Sequence, residues 1–481
     1  MRKEENMTRT TQPFYLAGEW RASDDALPVR NKFSGDEVAV VSRASRDDVN
    51  AAITAATSAF EHTRAMPAYK RAAALQHIAG AIQAQHEKLA RQLAVEAGKP
   101  IKTAQQEVDR AILTYTIASE EAKRIEGEWL PMDVAPVGEG RVALVKRFPI
   151  GPISAITPFN FPMNLVAHKV APALASGCPI IVRPASSTPL SALSLAEIIH
   201  ESGWPKGAFS VLPSTTQAAE PLITDERIKL LTFTGSPAVG WPMKSKAGRK
   251  RVTLELGGNA GVIVHHDCEL DFAVSRIVAG AFGYAGQSCI SVQRAFVHRS
   301  IHDAFLQKLL AKVSALHVGD PLDEATDVGP MIDEASAQNV EQWVHEAVKE
   351  GATVLAGGTR RGNLMQPTVM SNVQSEMRVC AQEVFAPLMT VVPYDHFEDA
   401  VKAVDDSDFG LQCGLFTRDL KSIWHAYEHI DVGGVIVNDV SSYRVDHMPY
   451  GGVKQSGFGR EGVKYAIEEM TEPKLLVMNM S

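Results

Sequence analysis

From about residue 150 the chain alternates short β-branched runs with stretches patterned as helices. The runs fall at 153–156, 179–182, 208–212, 229–233 and 251–254, and a helical pattern such as 191–202 lies between most of them. Strands that recur with helices between them pair in parallel, because a helix-length crossover brings the chain back in the same direction. A second series begins near 261–264, with strand patterns at 294–297 and 353–355 and helical patterns at about 300–315 and 334–350. The Gly-Gly-Asn turn at 257–260 places a domain boundary between the two series. The fold class is α/β.

Upstream, residues 45–62 read as an amphipathic helix. Ser45 caps it, and Val49, Ala52, Ile53, Ala56 and Phe60 share one face. Residues 68–95 continue the helical pattern up to Gly98-Lys99-Pro100, and 101–124 forms a further stretch, so the N-terminal part reads as helical. Pro131, Pro136, Gly138 and Gly140 then punctuate an excursion, and 141–147 alternates as a strand, which suggests a hairpin. Strand character returns at 474–478.

A chain of 481 residues implies two or three domains. Its net charge of −8, without a dense basic tract, argues against nucleic acid as a partner. The densest basic stretch, 244–251, reads as solvated surface. No 18-residue apolar window predicts a membrane span. The polar lead-in does not read as a signal peptide, and Met7 is an alternative start to Met1. Five cysteines without paired spacing predict free thiols and a cytoplasmic location. No metal site is expected.

Cys289 and Glu255 carry the chemistry. A thiol becomes a useful nucleophile only beside a base, a charge field or a cofactor. A glutamate at an apolar strand end is suited to general-base work, and Glu255 stands 34 residues before Cys289. Asn160 lies between Pro158 and Pro162, which fix the backbone and could hold its amide rigidly, as an oxyanion donor requires; taken alone, a Pro-rich turn with a structural Asn is the commoner reading. Gly235 allows a tight turn after the run at 229–233, and Ser236 can cap the following helix, whose N-terminus favours phosphate oxygens. An ordinary strand-to-helix turn reads equally well. The G-x-G-x-x-G match at 457–462 follows a polar loop rather than a buried strand, so no dinucleotide role is assigned to it.

Pro-Phe-Asn-Phe-Pro at 158–162, Phe-Thr-Gly-Ser at 233–236, Glu-Leu-Gly-Gly-Asn at 255–259, Gly-Gln-Ser-Cys at 286–289 and Glu-Val-Phe-Ala-Pro at 383–387 occur in that order. In this the chain resembles the NAD(P)-dependent aldehyde dehydrogenase superfamily from about residue 14 to 479. Within it, the chain is similar to the branch acting on lactaldehyde, semialdehydes, glyceraldehyde 3-phosphate without phosphorylation, or phosphonoacetaldehyde. The resemblance implies a Rossmann-like NAD(P)-binding domain at 1–125 and 148–256 and a catalytic domain at 257–462. Oligomerisation segments at 126–147 and 463–481 would form a small β extension and build a homodimer or homotetramer.

The resemblance also assigns roles. Cys289 matches the nucleophile, Glu255 the general base, Asn160 the oxyanion amide and Lys169 a lysine near the active site. Thr157, Pro158, Gly235, Ser236 and Gly257 fall in cofactor segments. Glu383 matches a nicotinamide-ribose contact, and Phe385 packs by the nicotinamide. Two positions depart from the family. Arg183 stands where Lys is usual, and Ser186 stands where NAD-preferring members often carry Glu. A neutral Ser and a planar guanidinium fit a 2′-phosphate, so the cofactor is NAD or NADP. The other possibility is that both residues cap a helix near Thr188.

On the substrate side, Arg110 matches a position where relatives acting on anionic aldehydes place an arginine; otherwise it pairs with Glu107 or Glu121. Ser288 and Ile290 flank the nucleophile, and Arg444 and His447 come from a late loop bordering the substrate entrance. The implied substrate is a small, polar or anionic aldehyde, oxidised to its acid through a Cys289 thioester. Alternatives are a CoA-acylating relative and a cysteine hydrolase or thioesterase drawing on His265 or His447.

Overall fold

The computed structural model describes residues 11–480. The two candidate starts, Met1 and Met7, lie outside them. An eight-stranded sheet runs in the order Glu19–Arg21, Phe14–Leu16, Phe209–Val211, Ile180–Arg183, Ile153–Ile156, Leu230–Thr234, Arg251–Glu255, Gly457–Phe458. Its five central strands are parallel. The chain builds outward from Ile153–Ile156 on one side and from Leu230–Thr234 on the other, so strand order reverses between them. In open parallel sheets such a reversal leaves a crevice at the carboxyl ends, where ligands bind.

Beyond Glu255 the chain enters a seven-stranded sheet. Its order is Thr353–Ala356, Thr368–Ser371, Leu388–Tyr394, Arg294–His298, Gly261–Val264, Gln412–Phe416, Gly434–Val437, and only the first of these is antiparallel. Each sheet has its own apolar core, built from β-branched strand residues and the helices that cover them. The pair Gly457–Phe458 returns to the first sheet, antiparallel to Arg251–Glu255, and Leu256 N–H donates to Ser456 O at 2.9 Å. Late-chain loops are thereby brought against the end of the Glu255 strand. A third sheet joins Glu128–Leu130, Arg141–Pro149 and Thr471–Asn479, all antiparallel.

Several elements differ from expectation. The N-terminal part is not wholly helical: four strands between Phe14 and Ser42 precede the first helix. Two of them extend the first sheet and two form a separate hairpin. The helix Arg46–Ala65 does start at Ser45, through a capping box with Asp48. The stretch 68–95 is two helices, Ala68–Ala84 and His86–Ala97, broken at Gln85. No Gly or Pro marks the break, which turns the second helix so that Leu89, Ala90, Leu93 and Ala94 enter the core. The helix Leu190–Glu201 is capped by neither Arg183 nor Ser186. The buried Glu96 carboxylate accepts from Leu190 N (2.9 Å) and Ser191 N (2.8 Å) instead. No helix of the described residues is long and apolar enough to cross a membrane.

Candidate active site

The segment before Cys289 is unusual in its backbone. Tyr284 and Ala285 both take φ of 51°, a left-handed conformation that costs a non-glycine residue about 1–3 kcal/mol. Surrounding contacts hold it there. Tyr284 OH donates to Ala97 O at 2.9 Å, and the fully buried Gln287 side chain accepts from Ile332 N at 2.8 Å. The result is a fixed turn that presents Cys289 to a cavity of about 410 Å³.

Asn160 reaches the same cavity from the end of the Ile153–Ile156 strand. Its amide donates one N–H to Gln287 O at 3.0 Å, beside the thiol segment, and its carbonyl oxygen has no partner. The ensuing helix, Asn164–Ser176, is anchored by Glu107, which accepts from Met163 N (3.0 Å) and Asn164 N (3.1 Å). Glu107 is itself ion-paired with the buried Lys99, whose ammonium sits 3.7 Å from the Phe161 ring centroid. The aromatic side of the Asn160 loop is thus pinned by a buried cation.

Glu255 ends its strand inside the cavity, and neither carboxylate oxygen has a hydrogen-bond partner. Burial first, and then the charge of Glu461, holds Glu255 well above the ordinary carboxylate range. Glu461 behaves oppositely. Burial works against its charge, but Lys169 and Arg444 outweigh it and hold Glu461 at about 2. Lys169 Nζ lies 2.7 Å from Glu461 and 3.0 Å from Thr232 Oγ1. Lys169 therefore stands behind the cavity wall that Glu461 forms rather than in the cavity itself. At Cys289, burial pushes the thiol up to about 12, partly offset by a hydrogen bond with Tyr450.

The sheet reversal supplies the other wall. Pro158, Gly235 and Ser236 line it from the ends of the two diverging strands. Ser236 occupies the N-cap position of the helix Pro237–Lys246, but its hydroxyl makes no capping bond, contrary to expectation. Glu383 accepts from Gly258 N at 3.0 Å, and a Cβ on Gly257 would displace the Glu383 carboxylate from this position. Burial raises Glu383 to about 7. Phe385 meets Phe159 edge to face at 5.8 Å. Thr157 is buried with an unpartnered hydroxyl outside the lining. Arg183 donates to Ser214 O at 3.1 Å, with Ser186 exposed nearby in sequence; neither lines this cavity.

Arg110, Ser288, Ile290 and Arg444 all line the cavity, whereas His447 is exposed and does not. Arg110 pairs with neither Glu107 nor Glu121. Its guanidinium meets Asp446 at 2.7 Å, across 336 residues of sequence. Asp446 also accepts from Asn164 (3.2 Å) and bonds His168 Nε2 (2.7 Å). Arg444 is paired with Glu461 at 3.2 Å, leaving its buried Nε without a partner. Tyr450, Glu461 and Asp446 had no role in the sequence reading. Glu461 lies inside the discounted glycine motif, and only its long-range partners reveal it. The chain holds two His-x-x-x-His spacings, His298/His302 and His425/His429, and the rings of the second pair stack at 4.2 Å. Among the described residues, no group of three metal-ligating side chains gathers there or elsewhere.

Parallel strands with an order reversal, opening on a cavity that holds a thiol, an amide and an unpaired carboxyl, describe the candidate active site of an α/β enzyme. Residues 20–476 match the Aldehyde dehydrogenase family, and the chain belongs to it. It is 47% identical over 479 residues to 3-sulfolactaldehyde dehydrogenase of Priestia aryabhattai, covering 98% of this chain and 100% of that one. Among solved structures, aldehyde dehydrogenase 21 from Physcomitrella patens, in complex with the reaction product succinate, is 46% identical. It matches with a TM-score of 0.97 over 98% of this chain and 99% of its own. Glyceraldehyde-3-phosphate dehydrogenase GapN from Methanocaldococcus jannaschii, complexed with NADP, is 38% identical. Its TM-score is 0.91, over 95% of this chain and 99% of its own.

Proposed function

We propose that the protein oxidises a small, polar or anionic aldehyde to its carboxylic acid, with NAD+ or NADP+ as acceptor, through an acyl thioester on Cys289. The observation that carries this reading is that Cys289, Asn160 and Glu255 share one cavity whose far wall is the strand-order reversal. The Cys289 thiol gives its proton to water, and the thiolate attacks the carbonyl carbon; a C–S bond forms and the carbonyl π pair moves to oxygen. The second amide N–H of Asn160 and the Cys289 backbone N–H donate to that oxyanion. Glu255 takes a proton from water, the hydroxide attacks the thioester carbon, and Cys289 sulfur leaves as thiolate.

The residues fit a dinucleotide. Pro158, Gly235 and Ser236 would take the pyrophosphate, Gly257, Glu383 and Phe385 the nicotinamide end, and Arg183 and Ser186 the adenosine end. When bound, the cofactor supplies the two-electron acceptor for the aldehyde carbon. With Ser186 neutral and Arg183 beside it, the 2′-phosphate of NADP+ meets no carboxylate. NADP+ is therefore accepted alongside NAD+.

The anionic class is supported by Arg110 and by the unpartnered Nε of Arg444. The named activity of the Priestia relative and the succinate in the plant enzyme point the same way. A cysteine hydrolase is less well supported, because no histidine lines the cavity and His265 is bonded to Tyr394 at 2.7 Å. Glu255 disfavours CoA as the acyl acceptor, since it equips the site for water.

The two large sheets serve as cofactor and catalytic domains meeting near 257. The third sheet, with Trp129, Leu475 and Leu476 exposed, pairs with a second copy. Five free cysteines fit a cytoplasmic enzyme. A panel of aldehydes assayed with NAD+ and NADP+ tests the activity; no reduced dinucleotide with any aldehyde overturns it. Arg110→Ala should lower the kcat/KM ratio of anionic to neutral aldehydes about tenfold. An unchanged ratio removes Arg110 from the substrate site.

A further inference from the structure

Tyr450 touches the proposed nucleophile yet has no part in the reaction drawn above. Its hydroxyl lies 3.0 Å from Cys289 Sγ. The ring cannot swing away. Tyr450 N donates to Glu461 O at 3.0 Å and Glu461 N returns a bond at 2.6 Å, while Ile290, Leu411 and Met448 pack around the ring. On the ring face, the Arg444 guanidinium carbon stands 3.6 Å from the centroid. A cation there draws electron density from the phenol and strengthens its O–H as a donor.

We propose that the Tyr450 hydroxyl donates a hydrogen bond to the Cys289 thiolate, with Arg444 polarising the ring, and is a further catalytic residue of this site. The proposal rests on Cys289 being the nucleophile. Besides Tyr450, the groups facing the sulfur are Glu383, Arg444 and Glu255, and both carboxyls oppose a thiolate. Burial opposes it more strongly still, so a direct donor has a large effect on how much thiolate exists. Tyr450 can fill that role because it stays protonated. Burial, and then the neighbouring sulfur, hold its phenol well above the ordinary range. No bond is made or broken at Tyr450: it holds the electron pair on sulfur in place until the C–S bond forms.

The test is Tyr450→Phe, read by the pH dependence of Cys289 alkylation with iodoacetamide, mapped by peptide mass, beside the pH profile of kcat/KM. A hydrogen bond to a charged group is worth about tenfold here. The alkylation midpoint should therefore rise by about one pH unit, and alkylation at fixed neutral pH should slow about tenfold. kcat/KM should fall by a similar factor at neutral pH and recover at higher pH, with KM for the dinucleotide unchanged. Arg444→Met, which keeps the hydroxyl but removes the cation from its ring, should move the midpoint the same way by less. An unchanged alkylation midpoint in Tyr450→Phe, with only a lowered Tm, reduces Tyr450 to packing and overturns the proposal. A lowered midpoint overturns it too, because the hydroxyl then accepts from the thiol. If alkylating Cys289 leaves aldehyde oxidation intact, the failure lies in the proposed function rather than at Tyr450.

Discussion

Asp446→Asn isolates what holds the loop that carries Arg444 and Tyr450. The Asp446 side chain is 1% exposed and gathers Arg110, Asn164 and His168, while Arg110 is 28% exposed. Arg110 reaches Asp446 through both Nε (3.3 Å) and Nη2 (2.7 Å). The Arg110 bonds stay charge-assisted on the guanidinium side but lose the carboxylate charge, so each of the two weakens by about 1 kcal/mol. The new amide NH2 also faces a donor on one side. Water at the partly exposed Arg110 offsets some of this, leaving a net loss of about 2 kcal/mol. The pH dependence has a defined sign. Burial works against the Asp446 charge, yet the bond from His168 and the charge of Arg110 hold it well below its usual range. A carboxyl depressed on folding contributes stability above its unfolded pKa, about 3.9, and loses it as pH falls further. Thermal unfolding of both proteins across pH should therefore show a gap at neutral pH that grows as pH falls through the histidine range, because Asp446 no longer offsets the burial that lowers His168, and narrows below about pH 4. Coincident unfolding at neutral pH, or a gap that keeps widening below about pH 4, would refute the reasoning.

Further outcomes follow from the same geometry. Glu255→Gln should lower steady-state turnover by about 10²–10⁴-fold while keeping a single-turnover burst of reduced dinucleotide, as stopped-flow absorbance would report. In the wild type, deacylation should rise with pH through a carboxyl titration well above the ordinary range, because burial and then Glu461 raise Glu255. Asn160→Ala should cut kcat by about 10²–10³-fold with dinucleotide affinity unchanged. Leu476→Lys, in the exposed strand Thr471–Asn479, should shift the protein to a smaller species in light scattering.

Much of this architecture was legible in sequence because buried parallel strands leave a local mark. The runs near 153–156, 229–233 and 251–254 are strands within a residue or so of those limits. The short strands at 14–42 were missed, since the first of them are only three residues long and carry little pattern. The break at Gln85 has no Gly or Pro to announce it, and packing on neighbouring helices decides it. In the site, Cys289, Glu255 and Asn160 stand out because each sits in a local motif. Asp446, Glu461 and Tyr450 do not, because what matters about them is a partner far away in sequence. Arg110 finds Asp446, Lys169 finds Glu461, and Cys289 finds Tyr450 only once the late loops fold back onto the first sheet. His447, three residues from Arg444, points elsewhere, since a loop has no periodicity from which facing could be read.

The central claim is the thioester on Cys289, and intact-protein mass spectrometry tests it most directly. Glu255→Gln enzyme, mixed with dinucleotide and an anionic aldehyde and quenched in acid, should gain the mass of one acyl group per chain. That mass should map to the peptide holding Cys289, with one equivalent of reduced dinucleotide formed. One equivalent of reduced dinucleotide with no adduct, or an adduct on another residue, would contradict the account.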